Sequence, residues 1–495
     1  GTTGGSSRRE AEQERDGGGR ERDEEEELRV FRTVATIHFV GIGGIGMSGI
    51  AEILLAEGFA VTGSDLAASE VTERLEDLGA RVFVGHDAAN VAEAEVVVYS
   101  SAVKPAENPE TADAMRRNIP VIRRAEMLAE VTRLKYGVAV AGTHGKTTTT
   151  SMIGLVLIEA GIDPTVIVGG KLADLGGTNA RRGEGEWTVL EADEYDRSFL
   201  SLQPTIAVLN NLEAEHLDVY RDLDDLKETF ARFANKVPFY GSIVLCADEP
   251  NLLEILPKLK RRVVTFGTSS QCDVQGSNLR YEEGSARFDV AHDGAMLGSL
   301  ELGVPGLHNV RNALATVTVA LELGVPFAAI AGALARFRGV YRRFEIKGEP
   351  AGVLVIDDYA HHPTEVRATL DGLKKGYDRR VIGVFQPHTY TRTRDFAEDF
   401  GKAFHNADIL LVTDIYPARE QPIEGIDGEL VARHAASFGH HNVHYIADRA
   451  DVVERLLALV EPNDIVMTIG AGDIWKSGDE LVARLEEEGM PKTNR

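Results

Sequence analysis

The chain has 495 residues, of which 43% are hydrophobic and 26% charged, and its formal net charge at pH 7 is −25. This length exceeds what one hydrophobic core supports and predicts two to four domains. The acidic balance argues against a nucleic-acid partner, because phosphate backbones bind through clustered Lys and Arg. No stretch approaches the roughly 20 consecutive apolar residues of a membrane span. Two cysteines, Cys246 and Cys272, favour a reducing compartment, the cytoplasm.

Residues 1–34 are rich in glycine and glutamate and are predicted to form a disordered acidic tail. From Thr36 onwards, short β-branched runs alternate with amphipathic stretches. Three of these runs are Ile37–Gly41, Val96–Ser100 and Tyr136–Gly142. Nearly continuous apolar runs are typical of strands buried on both faces of a parallel sheet. The pattern therefore predicts an α/β fold.

The alternation restarts near Lys135 and again near Arg343, which predicts three domains at residues 35–135, 136–343 and 344–495. Between Cys272 and Leu302 the spacing shortens to strand–turn–strand. This spacing predicts an antiparallel extension, so the central sheet should be mixed.

The first phosphate-type loop has the pattern G-x-G-x-x-G, formed by Gly41, Gly43 and Gly46 between a strand and a helix. Glycines allow close backbone approach, and the helix N-terminus attracts negative charge. Asp65 follows the second strand, at the position where an acidic residue meets a ribose. The motif fits any ligand with a pyrophosphate next to a ribose, so both NAD and a UDP-sugar satisfy it.

The second loop, Ala141–Thr150, also follows a strand and opens a helix. The amides of residues 142–147 can surround phosphate oxygens, while Lys146 supplies a positive charge and Thr147 a hydroxyl for Mg²⁺. The loop departs from the standard P-loop because Val140 stands where that pattern has a glycine.

A nucleoside triphosphate carries more negative charge than one lysine and a helix end can offset, so metal ligands are expected nearby. Glu191 ends one β-rich run, and His216 follows another. Ligands of open α/β sheets collect at the carboxyl ends of strands. We therefore predict that both residues bind metal.

The third region has polar side chains after two successive strands. Tyr359 and the pair His361–His362 follow the first strand, and His388, Arg392 and Arg394 follow the second. Arginine binds a carboxylate through two parallel hydrogen bonds, so this region is a candidate binding site for the carboxylate of an amino acid.

From about Ile37 to about Leu485 the chain resembles the Mur ligases. The resemblance rests on seven motifs in the same order: GIGGIGMSG, GTHGKTTT, EADEYD, GLHNVRNALA, GVYRRFE, DDYAHHPTE and QPHTYTRTR. It implies a Rossmann-like N-terminal domain that binds a UDP-sugar, a central P-loop ATPase and a Rossmann-like C-terminal domain that binds an amino acid.

The resemblance also implies specific site residues. The expected ATP contacts are Gly142, Thr143, His144, Gly145, Lys146, Thr147, Thr148, His308, Asn309, Asn312, Arg343 and Asp358. The expected UDP-sugar contacts are Gly41, Gly43, Gly46, Met47, Ser48, Ser64, Asp65, Ser100 and Ser101. The expected amino-acid contacts are Tyr359, His361, His388 and Arg392. The expected metal ligands are Thr147, Glu191 and His216, and the expected catalytic residues are Lys146, His216 and His361.

The activity implied by the resemblance is ATP-dependent joining of L-alanine to the lactyl carboxylate of UDP-N-acetylmuramate, with two Mg²⁺ ions and a monomer or homodimer. Three alternatives remain open at this stage. A related enzyme of the family recycles murein tripeptide onto the same nucleotide, and Tyr195 favours it. The first glycine loop, taken alone, fits an NAD-dependent oxidoreductase. A non-enzymatic UDP-sugar-binding protein would share that loop.

Overall fold

The computed structural model describes residues 34–100, 102–133, 135–172, 178–215, 219–282 and 284–489. These residues belong to two units, of which the first ends at Leu134 and the second begins at Lys135. The predicted acidic tail lies outside the described residues except for residue 34. Among the residues described, no helix has the length and apolar character needed to cross a membrane.

The first unit contains one sheet of five parallel strands in the order β3-β2-β1-β4-β5. Strands β1 to β5 are Thr36–Val40, Ala60–Asp65, Arg81–Val84, Val96–Tyr99 and Val121–Arg123. Helices α1 to α4 are Ile45–Ala56, Glu70–Asp77, Pro109–Arg116 and Arg124–Thr132. The strand order reverses between β1 and β4, so their carboxyl ends form the crevice where such sheets bind nucleotides. The predicted Rossmann-like arrangement is confirmed.

The second unit begins with a mixed sheet of ten strands in the order β15-β14-β13-β12-β11-β10-β6-β9-β7-β8. Strands β6 to β15 are Tyr136–Ala141, Thr165–Leu172, Thr178–Arg181, Trp187–Glu191, Ile206–Leu209, Ser242–Cys246, Arg262–Gly267, Val274–Glu282, Ser285–His292 and Ala295–Leu302. Helices α5 to α9 are Lys146–Glu159, Leu223–Ala234, Pro250–Ile255, Leu307–Glu322 and Phe327–Leu334. Strands β13 to β15 pair antiparallel, which confirms the extension predicted from the shortened spacing.

The same unit contains a six-stranded sheet in the order β16-β17-β21-β18-β19-β20, parallel except at its edge strand β16. Strands β16 to β21 are Glu345–Gly348, Leu354–Asp358, Val381–Phe385, Ile409–Thr413, Val443–Ile446 and Ile465–Ile469. Helices α10 to α15 are Pro363–Gly376, Tyr390–Asp395, Ala397–Gly401, Gly428–Ser437, Val452–Leu457 and Trp475–Glu488.

Burial explains why these runs form strands. Every side chain of β17, β18, β19 and β21 is buried. Apolar residues of these strands alternate between two core clusters. For example, Val355 belongs to one cluster, and its neighbour Ile356 belongs to the other. A sheet covered on both faces has no solvated side, which is why the runs are continuous in the sequence. The predicted three-part α/β fold class is confirmed.

Candidate active site

Two asparagines that follow β10 hold the phosphate-type loop in shape. The Asn211 side chain accepts a hydrogen bond from the His144 amide at 2.7 Å and donates one to the His144 carbonyl at 3.0 Å. Asn210 donates to the Thr149 hydroxyl at 2.8 Å, which fixes the first turn of α5. The sequence prediction missed both asparagines. Their only signal in the sequence is their position directly after a buried strand.

The junction of the loop and α5 requires glycine. Gly145 has φ +79°, and a Cβ atom there would lie 2.6 Å from Oδ1 of Asn312 on α8. Because α5 begins at the next residue, its first amides have no partner within the helix. These amides and the partial positive charge of the helix end form a site suited to an anion.

A buried carboxylate holds the ammonium group of Lys146. Its Nζ donates to the two carboxylate oxygens of Glu194 at 2.9 and 2.8 Å and to the Gly142 carbonyl at 2.8 Å. The Glu194 side chain is only 1% exposed. Burial lowers the pKa of Lys146, but the carboxylates of Glu194 and Asp193 together outweigh burial and raise it above its usual value. Lys146 is therefore charged and oriented, and the sequence prediction missed the residue that orients it.

The described part of the predicted metal site places oxygen donors beside the phosphate-type loop. Glu191 ends β9, and its Oε1 accepts a hydrogen bond from the Gly169 amide at 2.6 Å. Burial raises the pKa of Glu191, although hydrogen bonds from Gly169 and the Thr147 side chain oppose this shift. A bound divalent cation would favour the charged carboxylate, and oxygen donors suit Mg²⁺. His216, the third predicted ligand, lies outside the described residues.

A cleft lies next to this loop and is open to solvent. It brings together most of the predicted ATP contacts, namely His144, Gly145, Thr147, Thr148, His308, Asn309, Asn312, Arg343 and Asp358. Phe266, Phe337 and Phe344 add an apolar wall that the sequence prediction missed. Apolar side chains beside a few convergent polar groups are typical of a small-molecule or cofactor site.

Burial sets the charge of two of these lining residues. It lowers the pKa of His308 to about 4, so this imidazole is neutral at pH 7. It raises the pKa of Asp358 to about 6. The two carboxyl oxygens of Asp358 accept hydrogen bonds from the amides of Ala360 at 2.7 Å and Phe344 at 2.9 Å. Asp358 therefore also fixes the backbone around the cleft.

Glu365, in the first turn of α10, connects the phosphate-type loop to the third region. Its Oε1 lies 3.1 Å from Nδ1 of His144 and 3.4 Å from the Arg343 guanidinium. Its Oε2 accepts a hydrogen bond from the His361 amide at 3.0 Å. Burial raises the pKa of Glu365, but His361, His144 and Arg343 outweigh burial and hold the pKa well below its usual range. The sequence prediction did not identify this carboxylate.

The four predicted amino-acid contacts form one cluster. The ring centroids of Tyr359 and His361 lie 5.3 Å apart, and those of His361 and His388 lie 5.9 Å apart. Arg392 approaches Nδ1 of His388 at 3.3 Å and donates to Glu215 at 3.4 Å. Arg394 does not join the cluster, because it is half-exposed and paired with the neighbouring Asp395.

Burial lowers the pKa of His361 to about 3 and that of His388 to about 4. Nδ1 of His361 lies 3.0 Å from the Tyr359 carbonyl, which can only accept a hydrogen bond. Nδ1 therefore carries the proton, and Nε2 of the neutral ring has a free lone pair.

In the first unit the glycine loop, residues 41–46, is hydrogen-bonded to the last residue of β2. The Gly43 amide donates to Oδ2 of Asp65 at 2.8 Å. A Cβ atom at Gly43 would lie 2.9 Å from the same oxygen, and one at Gly46 would lie 2.8 Å from the Arg124 guanidinium. Gly41 has φ +82°. Gly41 is thus required by its backbone conformation, whereas a side chain at Gly43 or Gly46 would displace the Asp65 carboxylate or the Arg124 guanidinium.

The other predicted UDP-sugar contacts of this unit differ in exposure. Met47, Ser48 and Ser64 are buried. Ser64 donates to Glu110 at 2.6 Å, so its hydroxyl already has a partner inside the unit. Ser100 lies beside the loop, since a Cβ atom at Gly41 would be 3.5 Å from its hydroxyl. Ser101 lies outside the described residues.

A Rossmann-like sheet, a phosphate-type loop with a carboxylate beside it and a third α/β region define a nucleotide-dependent α/β enzyme. Comparison with family models matches three parts of the chain. Residues 36–136 match the Mur ligase family catalytic domain, residues 140–320 the middle domain and residues 342–472 the glutamate ligase domain.

One relative is 54% identical over 92% of this chain and 99% of its own length, and is named UDP-N-acetylmuramate–L-alanine ligase of Geotalea uraniireducens. The crystal structure of UDP-N-acetylmuramate-alanine ligase from Thermotoga maritima is 31% identical, with a TM-score of 0.77, and covers 91% of this chain and 99% of its own. A murein peptide ligase from Psychrobacter arcticus is 25% identical, with a TM-score of 0.66 and the same coverage. The chain belongs to the Mur ligase family.

Proposed function

We propose that the chain catalyses the ATP-dependent ligation of L-alanine to the lactyl carboxylate of UDP-N-acetylmuramate, through an acyl phosphate, in peptidoglycan precursor synthesis. The relative from Geotalea uraniireducens, 54% identical over 99% of its length, supports this activity. The observation in the structure that carries the proposal is the Glu365 network, which joins the phosphate-type loop to the cluster around His361. A ligase must bring an activated acid and an amine together, and this network connects the two half-sites.

In this proposal each region holds one reactant. Residues 35–135 bind the UDP-sugar through the glycine loop and Asp65, residues 136–343 bind ATP, and residues 344–495 bind the amino acid. The catalyst works in the cytoplasm, where nucleotide substrates occur, as a monomer or homodimer.

The phosphate-type loop binds the triphosphate in this proposal. Lys146 and the first amides of α5 stabilise charge on the transferring phosphoryl group. Glu191, Thr147 and His216 hold Mg²⁺, with two ions bound in total. Bound Mg²⁺ supplies positive charge that offsets the phosphate oxygens. The adenine lies against the apolar wall of the cleft near His308 and Asn309, and Arg343 reaches towards the phosphates.

The chemistry starts from a carboxylate, which is a poor electrophile. The lactyl carboxylate attacks the γ-phosphorus and forms an acyl phosphate, and ADP leaves. The neutral amine of L-alanine then attacks the acyl carbon. The tetrahedral intermediate collapses to the amide as phosphate leaves with the C–O electron pair, and the departing phosphate takes up the proton that the amine nitrogen loses.

The cluster of Tyr359, His361, His388 and Arg392 positions L-alanine. Arg392 binds the α-carboxylate. The free Nε2 lone pair of His361 accepts a hydrogen bond from the amine. A ring with a pKa near 3 removes a proton poorly, so His361 orients the amine more than it deprotonates it.

The related recycling activity, addition of murein tripeptide, is the second candidate. The murein peptide ligase from Psychrobacter arcticus has both lower identity and a lower TM-score than the alanine ligase from Thermotoga maritima. The phosphate-type loop with its neighbouring carboxylate disfavours an NAD-dependent oxidoreductase, which has no use for a triphosphate site. The same loop disfavours a UDP-sugar-binding protein without turnover.

A phosphate-release assay tests the proposal. The purified chain is given ATP, Mg²⁺ and UDP-N-acetylmuramate with L-alanine, glycine, L-serine or murein tripeptide. We expect release only when nucleotide sugar and amine are both present, and fastest with L-alanine. Preference for the tripeptide would establish the recycling activity instead. A change in nicotinamide absorbance without phosphate release would overturn the ligase proposal.

A further inference from the structure

Three side chains with metal-binding atoms meet between the phosphate-type loop and the start of α10. His144 comes from the loop, Glu213 from the segment after β10, and His362 from the N-cap of α10. One ligand atom from each lies within 4.8 Å of the others. Nε2 of His144 is 3.7 Å from Oε2 of Glu213, and the two imidazole centroids are 5.2 Å apart. The tertiary fold assembles this group, because its members are far apart in the sequence.

Both imidazoles of the group have a buried nitrogen without a hydrogen-bond partner. Within the described part of the chain, Nε2 of His144 and Nε2 of His362 are two of the few buried side-chain atoms in this situation. The His362 residue is 5% exposed. Leaving a buried polar group without a hydrogen-bond partner destabilises the folded state. Two such nitrogens beside one carboxylate point to a ligand that all three side chains bind.

Two neighbouring residues, Glu365 and Thr364, hold His144 and Glu213 in orientations that suit metal binding. Nδ1 of His144 lies 3.1 Å from Oε1 of Glu365, so the Nδ1 proton points to a carboxylate and Nε2 is directed to the group. The Thr364 hydroxyl donates to Oε2 of Glu213 at 2.7 Å. In metal sites a histidine ligand usually donates its other ring N–H to a carboxylate, a carbonyl or water, and this hydrogen bond fixes the orientation of the ring.

His362 can also be protonated on Nδ1 and direct its Nε2 to the group, because its contact with its own helix is weak. Its Nδ1 is 3.4 Å from the Thr364 amide, which is long for a hydrogen bond. A proton on Nδ1 would therefore displace only a weak contact and leave the Nε2 lone pair for an ion.

We propose that His144, Glu213 and His362 form a binding site for a divalent transition-metal ion of the zinc class, with a fourth position occupied by an oxygen ligand from the cleft. Two imidazoles and one carboxylate suit Zn²⁺ or Co²⁺, whereas Mg²⁺ prefers oxygen donors. Tetrahedral zinc places its ligand atoms roughly 3.4 Å apart. The 3.7 Å separation of His144 and Glu213 is already close to that value.

The site is separate from the Mg²⁺ site of the proposed function. The Mg²⁺ ligands are Glu191, Thr147 and His216, and none of them belongs to this group. His144 and Glu213 line the nucleotide cleft, so the fourth position faces the cleft. The ion links the phosphate-type loop to α10, and its binding stabilises that contact.

Titration of the metal-free full-length chain with Co²⁺ alone, followed by visible absorption, tests the site. We expect one saturable equivalent with the intense bands of four-coordinate Co²⁺, displaced by Zn²⁺. His362→Gln and Glu213→Gln should each weaken binding at least about ten-fold. Glu191→Gln and His440→Gln should retain the signal. His440 is a matched control, since it is a buried histidine whose Nε2 contacts the Ala407 carbonyl instead.

Two results would overturn the site. The first is Co²⁺ binding of wild-type strength in both His362→Gln and Glu213→Gln. The second is loss of the signal in Glu191→Gln with retention in the other variants, which would assign the ion to the Mg²⁺ site. Glu213 is partly exposed, so Glu213→Gln is expected to fold even where the buried His362→Gln does not. All of these outcomes are independent of phosphate release and hence of the proposed ligase activity.

Discussion

At the scale of single residues, Lys146 performs two tasks that a double variant separates. Its ammonium is placed to meet a phosphate, and it also neutralises the buried Glu194. We predict that Lys146→Ala lowers turnover by about 100-fold or more, because a preorganised positive charge is lost. The same change leaves an unpaired buried carboxylate and should lower the free energy of unfolding by about 3 kcal/mol. Phosphate release and urea unfolding measure the two effects.

The double variant Lys146→Ala/Glu194→Gln is the control for this prediction. It removes the uncompensated charge, so it should regain most of the lost stability and none of the turnover. Retention of turnover in Lys146→Ala would mean that the ammonium does not bind the transferring phosphate.

Arg392 and Arg394 lie two residues apart on α11 in different surroundings. Arg392 is next to His388 and Glu215, whereas Arg394 is half-exposed beside Asp395. We predict that Arg392→Ala raises the KM for L-alanine at least about ten-fold, which is the value of one lost charged hydrogen bond. The KM for ATP should change little. Arg394→Ala is the matched control, and an unchanged L-alanine KM in Arg392→Ala would remove this residue from the amino-acid site.

At the scale of elements, α5 has glycines in positive φ at both ends. Gly145 precedes the helix with φ +79°, and Gly161 follows it with φ +77°. A Cβ atom would lie 2.6 Å from Asn312 Oδ1 at the first position and would meet nothing within 4 Å at the second. Alanine at either position should lower stability by about 1 kcal/mol through backbone strain.

We predict that Gly145→Ala also deforms the phosphate-type loop and raises the KM for ATP, while Gly161→Ala leaves it unchanged. Steady-state kinetics at varied ATP, together with urea unfolding, separates the two effects. Equal kinetics in the two variants would show that the Asn312 contact does not shape the loop.

The elements themselves were predictable because burial on both faces leaves a local signal. Continuous apolar runs predicted β1, β4 and β6, and the glycine loops predicted the start of the helices that follow β1 and β6. The partners of the site residues leave no such signal. Glu194 and Glu365 are ordinary acidic residues in the sequence, and their importance comes from contacts with residues 48 and 221 positions away. Only the tertiary fold reveals that these two carboxylates orient Lys146 and His144.

At the scale of the whole molecule, the cleft and its surroundings concentrate buried histidines with opposite pKa shifts. Burial lowers the pKa of His308, His362 and His388 to about 4 and that of His361 to about 3. The pKa of His144 is raised to about 10, because Glu365 and Glu213 outweigh burial. One compact region therefore combines four neutral imidazoles with one charged imidazole at neutral pH.

These shifts predict an acid-labile fold. An unfolded histidine binds a proton near pH 6.5, whereas the four lowered groups stay neutral in the folded chain until about pH 4. Between these values the unfolded state binds more protons, so stability falls as pH falls through this window. His144 acts in the opposite direction, since its contribution is complete below about pH 6.5 and is lost as pH rises towards 10. Four histidines lose stability as pH falls, and only His144 loses it as pH rises. The free energy of unfolding should therefore fall more steeply on the acid side of neutral pH than on the alkaline side.

Urea unfolding at about pH 7.5 and about pH 5 measures this prediction, with the lower midpoint expected at the acid value. His388→Gln removes one of the four groups without adding charge, so its midpoint should fall less between the same two pH values. A midpoint that is equal at both pH values in the wild-type chain would mean that these imidazoles take up protons in the folded state as readily as in the unfolded one.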